Sequence, residues 1–222
     1  MSKHLGRELE QLKRDLLSIA TLVEEAVQKA IRAFNERRAD LAKEVISGEE
    51  VINQKEVEVE ENCLKILALY QPVAEDLRFI AAVMKINNDL ERMADYAVSI
   101  AERTQHLLTD APVNVPEELS KMEQLVRQMV RGSLDAFIHR DTQLARTICL
   151  NDDQVDACNR VIIKEIRTLV KKDPATIDQA LDIFTTTRRL ERIGDLATNI
   201  AQDVIYMVEG EIVRHRSQNA TP

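Results

Sequence analysis

A chain of 222 residues, 45% hydrophobic and 31% charged, carries enough apolar side chains to bury a core, which excludes disorder as the whole answer. Five glycines, five prolines, no tryptophan and 3% aromatics, against a background rich in Leu, Ala, Glu, Arg, Lys and Ile, select an all-α fold. The formal net charge of −8 argues against a binder of nucleic acid, whose affinity rests on clustered Lys and Arg releasing counterions; an acidic surface suits cations or basic partner patches instead.

The first helix runs from Leu5 to about Arg37, with Leu9, Leu12, Leu16, Ile19, Val23, Ala26, Val27, Ala30 and Phe34 along one face. A second spans about Ala39 to Tyr70 and stops at Gln71-Pro72, because proline lacks the N–H and disfavours helix at the residue before it. The third, from about Ala74 to Leu108, has a seam of Phe79, Val83, Ile86, Leu90, Met93, Ala97, Ile100 and Leu107 at spacings of three and four. Two prolines then break the pattern between Asp110 and Pro116. The same order returns as helix four (Glu117 to His139), helix five (Thr142 to Lys171) and helix six (Ala175 to about Val213).

Leu90-Glu-Arg-Met-Ala-Asp95 recurs one hundred residues later as Leu190-Glu-Arg-Ile-Gly-Asp195. At an offset of 103, Ala33-Phe34 matches Ala136-Phe137, Leu41-Ala42 matches Leu144-Ala145, and Asn53 matches Asp156. The chain is therefore an internal repeat. Residues 1–110 and 117–214 each form a three-helix bundle, 111–116 is a proline-containing linker, and 215–222 is a frayed tail.

At 100° per residue, Glu91 and Asp95 turn away from the seam of helix three, as do Glu191 and Asp195 in helix six. Spaced one turn apart, each pair can offer oxygens to a single hard cation that would relieve their mutual repulsion. Helix two carries a second acidic ridge, Glu49, Asn53, Glu56 and Glu60, answered in helix five by Asp152, Asp156 and Asn159. A ridge beside the core can meet the neighbouring helix, so Asn53 and Glu56 with Glu91 and Asp95, and Asp152 and Asp156 with Glu191 and Asp195, are candidate metal ligands. A solvated acidic flank gives the same pattern. Arg92 and Arg192 pair with a carboxylate of a neighbouring turn, snorkel over the core edge, or contact a partner.

Glycine-rich phosphate loops, a nucleophile elbow, Cys-His pairs and Glu-x-x-His are all missing from the sequence, so it shows no catalytic apparatus. Cys63, Cys149 and Cys158 lack metal-ligand spacing and read as reduced core thiols. The longest stretch without a charged residue, 66–74, is far short of the roughly 18 apolar residues of a membrane helix, and no signal core precedes it.

The twice-repeated Leu-Glu-Arg-(Met/Ile)-(Ala/Gly)-Asp, the segment Gln71-Pro-Val-Ala-Glu-Asp-Leu-Arg78 and Leu41-Ala-Lys-Glu-Val-Ile-Ser-Gly48 resemble the PhoU family of phosphate-specific transport system accessory proteins, over about residues 5–210. The resemblance implies a cytoplasmic, homodimeric, non-enzymatic regulator that links the ATP-binding subunit of a phosphate ABC transporter to a sensor histidine kinase. It also implies metal, whether iron, zinc, magnesium or manganese, on Glu91 with Asp95 and on Glu191 with Asp195. The family's Gln-Pro-x-x-x-Asp-Leu-Arg element maps onto Gln71, Pro72, Asp76, Leu77 and Arg78 and is missing from the second repeat, which marks Asp76 and Arg78 as candidate partner contacts. A carboxylate-metal enzyme, oxidase or hydrolase, and a purely structural helical dimer are the competing readings.

Overall fold

The computed structural model describes residues 3–107 and 115–213. Six helices follow in order: α1 Lys3–Glu36, α2 Ala39–Tyr70, α3 Ala74–Leu107, α4 Glu117–His139, α5 Thr142–Lys172 and α6 Ile177–Glu209. A single 3-10 turn, Pro174–Thr176, precedes α6. Of the expected linker only Val115 and Pro116 are described, and the expected tail lies outside the described residues.

Both repeats turn their first corner in the same way. Arg37 and Arg140 adopt left-handed backbone (φ 50° and 53°), and the next N–H reaches back to the helix, Arg38 to the Ala33 carbonyl at 3.0 Å and Asp141 to that of Ala136 at 2.9 Å. This six-to-one bond is the Schellman closure. The following helices start differently: the Asp141 carboxylate accepts from the N–H groups of Gln143 and Leu144 at 3.0 Å, whereas Arg38 offers no cap and forks onto Asp40 instead.

One expected boundary is corrected. Helix six was expected to run to about Val213, but it ends at Glu209, because Gly210 takes the left-handed conformation (φ 74°) and its N–H closes on the Tyr206 carbonyl. A glycine reaches that conformation without a Cβ penalty, so it stops the helix while the apolar pattern continues.

Helices α1, α2 and α3 pack pairwise into one bundle, and α4, α5 and α6 into another. The bundles join chiefly through α3 against α6, with a small α1/α4 contact behind, and their buried apolar residues form one continuous core. Among the described residues α2 and α5 touch neither each other nor the opposite repeat, so the other face of the α3/α6 pair is open between them.

Residues ascending α3 meet residues descending α6: Arg78 donates to the Met207 carbonyl, Lys85 pairs with Asp203, Ser99 accepts from Arg189, and Arg103 pairs with Asp182. The two helices are thus antiparallel. Since their sequences match at an offset of one hundred, a local two-fold relates them, and the two Leu-Glu-Arg motifs cross at its centre. Leu90, Met93, Leu190 and Ile193 are fully buried there.

Candidate carboxylate site

The ridge of α2 does meet α3. Asn87, 1% exposed, donates through Nδ2 to the Glu56 carbonyl at 2.9 Å and to its carboxylate Oε1 at 3.1 Å, which ties the two helices together at the candidate ligands. Around this tie Glu49, Glu56, Glu91 and Asp95 repel one another. The Glu91 carboxyl is pushed above the usual carboxylate range by burial, then by Asp95 and Glu56, with Arg92 opposing. Burial, then Asp95 and Glu102, raise Glu49; burial, then Glu60, raise Glu56. Two amide oxygens at this locus, Asn53 Oδ1 and Asn87 Oδ1, are buried without a hydrogen-bond partner.

The second repeat assembles the equivalent groups from α5 and α6 but fills them differently. Asn159 Nδ2 donates to Glu191 Oε1 at 2.9 Å, and Arg188 grips the same carboxylate, 2.7 Å from Oε1 and 2.6 Å from Oε2. Arg192 pairs with Asp195 at 3.1 Å. Glu191 was expected on a surface stripe, yet its side chain is only 13% exposed, covered by that guanidinium. Burial, then Asp195 and Asp156, push Asp152 up to about 6, while Thr198 donates to it at 3.4 Å. Burial also raises Asp195, against the pull of Arg192.

All these groups are oxygens, the donor set of magnesium or manganese rather than of the softer sites that zinc or iron favour. Unpartnered Asn53 Oδ1 and Asn87 Oδ1 beside mutually repelling carboxylates fit a hard cation. Among the described residues no three Asp, Glu, His or Cys side chains already converge as a ligand set, so binding requires the carboxylates to swing inward.

Arg92 lies 3.9 Å from Asp89 on its own helix, which is the structural role expected for it. Arg92 and Arg192 nonetheless share a cavity of about 370 Å³ in the open groove, with Tyr96, Asp152, Asp195 and Gln202. Asp76 lines a different cavity of about 440 Å³ on the α1/α4 side, floored by Leu9, Phe79 and Phe137. Arg78 donates to the Met207 carbonyl at 3.4 Å and lies against Gly210, so it secures the end of α6. The structure therefore gathers the candidate metal ligands into two clusters and keeps Asp76 and Arg78 apart from both.

Sequence reasoning missed the polar α3/α6 seam, in which Asp89, Asp182 and Asp203 are buried, and it missed Asn87. The repeat holds a signal for Asn87: Thr187 matches it at the offset of one hundred and is also fully buried, a polar pair at a core-facing position.

The PhoU domain profile matches residues 16–104 and 119–204. The chain is 42% identical over 212 residues, 96% of each chain, to the phosphate-specific transport system accessory protein PhoU homolog of Aquifex aeolicus, and 32% identical over 219 residues, 97% of this chain and 91% of the relative, to PhoU of Escherichia coli. The crystal structure of PhoU from Pseudomonas aeruginosa superposes with a TM-score of 0.89 at 37% identity, covering 93% of this chain and 99% of that one. The phosphate transport system regulatory protein PhoU from Streptococcus pneumoniae gives 0.88 at 31%, over 94% and 99%. These relatives are regulators, which sets aside the carboxylate-metal oxidase or hydrolase. The chain belongs to the PhoU family of phosphate-specific transport system accessory proteins, a family of non-enzymatic regulators.

Proposed function

We propose that this protein is a cytoplasmic, homodimeric adaptor that represses phosphate-starvation signalling when phosphate is plentiful, by linking the ATP-binding subunit of a phosphate ABC transporter to a sensor histidine kinase. A divalent cation held by carboxylates between paired helices fixes the surface that the partners recognise. The observation that carries the metal half of this reading is the cluster at Glu49, Glu56, Glu91 and Asp95, where raised carboxyls gather around an Asn87 amide oxygen without a partner.

A bound cation supplies positive charge that cancels the repulsion. Asn87 holds Glu56 in place, and Glu91 and Asp95, one turn apart, present two carboxylates from a single helix face. Among the described residues no helix is long and apolar enough to cross a membrane, so docking on the transporter goes through its exposed subunit. Acidic composition keeps the protein off nucleic acid.

Deletion of the gene tests the reading. Phosphate-responsive genes should then stay on in high phosphate, be silenced again by the wild-type chain, and be silenced poorly by Glu91→Gln/Asp95→Asn. Normal repression in the deletion strain would sink the regulatory assignment. Full repression by a variant with both motifs neutralised would point to a purely structural helical dimer.

A further inference from the structure

The two repeats differ in what already neutralises their carboxylates. In the second repeat Arg188 Nη1 donates to Glu191 Oε1 and lies 2.6 Å from Oε2 as an ion pair, and Arg192 pairs with Asp195. In the first, position 88 is an exposed Asn in place of Arg188, and Arg92 turns to Asp89. The switch of Arg92 has a visible cause. Asp89 lies one turn before it and attracts it, whereas the residue one turn before Arg192 is Arg189, which repels it toward Asp195. Arg189 itself reaches across the seam to Ser99 at 3.1 Å and lies 5.3 Å over the Tyr96 ring.

From this contrast we infer that the two carboxylate sites are functionally unequal: the first repeat takes a divalent cation, and the second is closed to it by the Arg188 and Arg192 guanidiniums. The inference rests on the metal reading above. Cation binding demands that carboxylates swing together in either repeat. In either repeat the move relieves repulsion among carboxylates and meets a buried amide oxygen without a partner, that of Asn53 and of the fully buried Asn87 in the first and that of Asn159 in the second. In the second it must first break the Arg188 ion pair to Glu191, whose side chain is only 13% exposed. A charge difference points the same way, since Glu60 and Glu102 of the first repeat are matched by Ile163 and Gln202 in the second. Arg188 is thus the residue that sets which repeat is loaded.

The experiment uses the full chain stripped with chelator and titrated with Mn²⁺, free Mn²⁺ being counted by its paramagnetic resonance signal. The expected result is one class of tight sites, lost in Glu91→Gln/Asp95→Asn and kept in Glu191→Gln/Asp195→Asn, with affinity at the second repeat at least tenfold weaker. Arg188→Asn, or Arg188→Gln, should add a second tight class that disappears when Glu191→Gln/Asp195→Asn is combined with it; thermal unfolding checks that each variant is folded. Two equal classes in the wild-type chain, a tight class that follows Glu191 and Asp195, or unchanged binding in folded Arg188 variants would overturn the inference while leaving metal binding intact. Absence of tight Mn²⁺ from every form would remove the metal reading itself, and the inference with it.

Discussion

Lys85 of α3 holds Asp203 of α6 at 3.3 Å, and the two could hardly differ more in exposure: the Lys85 side chain is 46% accessible, that of Asp203 only 2%. The ammonium also lies 5.1 Å over the Tyr206 ring. A carboxylate taken out of water needs its partners, so removing the lysine should cost more than an ordinary surface pair. Lys85→Met is expected to lower unfolding stability by about 1–3 kcal/mol. Lys85→Met combined with Asp203→Leu should recover part of that loss, because the buried carboxylate that lost its lysine is gone as well. Urea unfolding of the two single variants and the double variant measures the coupling.

Glu123 reports on the contact behind the seam. It is 6% exposed on α4 and accepts from Asn35 of α1 at 2.8 Å, and burial pushes its carboxyl up to about 7 despite Asn35 and Arg127. A folded-state value above the ordinary one means the folded chain holds this proton more tightly than the unfolded chain. That contribution is whole below pH ~4.5 and lost as pH rises to about 7, on the order of 3 kcal/mol in all. Glu123→Gln keeps an oxygen for Asn35 and removes the titration. It should therefore stabilise the protein at pH ~8 by about 1–3 kcal/mol and change it little near pH ~4.5.

Asp152 offers a second pH test in the metal-free protein. Burial and its acidic neighbours push it up to about 6, so the stability it contributes is present below its ordinary value and lost as pH rises through about 6. Because the group is only half-buried, the loss is discounted to about 1 kcal/mol. Asp152→Asn should raise the thermal midpoint at pH ~8 and not at pH ~4, by scanning calorimetry.

The two halves of each motif should separate cleanly. Leu190 is fully buried, and Leu190→Ala should cost about 2–5 kcal/mol through lost contacts and the cavity left behind. Glu91→Gln/Asp95→Asn, which only removes like charges on one face, should leave metal-free stability unchanged or raise it by less than about 1 kcal/mol. A large loss from the acidic double variant would mean that the carboxylates are structural.

Much of the fold was legible because long amphipathic helices write their cores at spacings of three and four, and duplication writes each bundle twice. Helices α2 and α4 match their expected limits, and Leu90, Met93, Leu190 and Ile193 are buried as the seam predicted. The limit came where a helix buries more than one face. A wheel centred on the bundle core assigns every other side chain of α3 and α6 to solvent, but each of the two covers a second stripe of the other, burying Asp89 on α3 and Asp182 and Asp203 on α6. Glu123 was hidden for another reason: its match in the first repeat is Ala20, so duplication offered no flag. At the site, the repeat exposed Glu91, Asp95, Glu191 and Asp195, whereas the choice made by each arginine depended on Asp89 and Arg189, a difference whose weight shows only in three dimensions.

The antiparallel α3/α6 seam also tells the halves apart. Two ion pairs across it have the same sense: Lys85 and Arg103 lie on α3, and their acidic partners, Asp203 and Asp182, on α6. Two copies of the first repeat joined about the same two-fold would set Lys85 against Arg103. Two copies of the second would set Asp182 against Asp203. At these two positions like halves would meet like charge and unlike halves opposite charge, so the pattern favours pairing of the two different repeats. Separately expressed halves, mixed, should find one another before they find themselves.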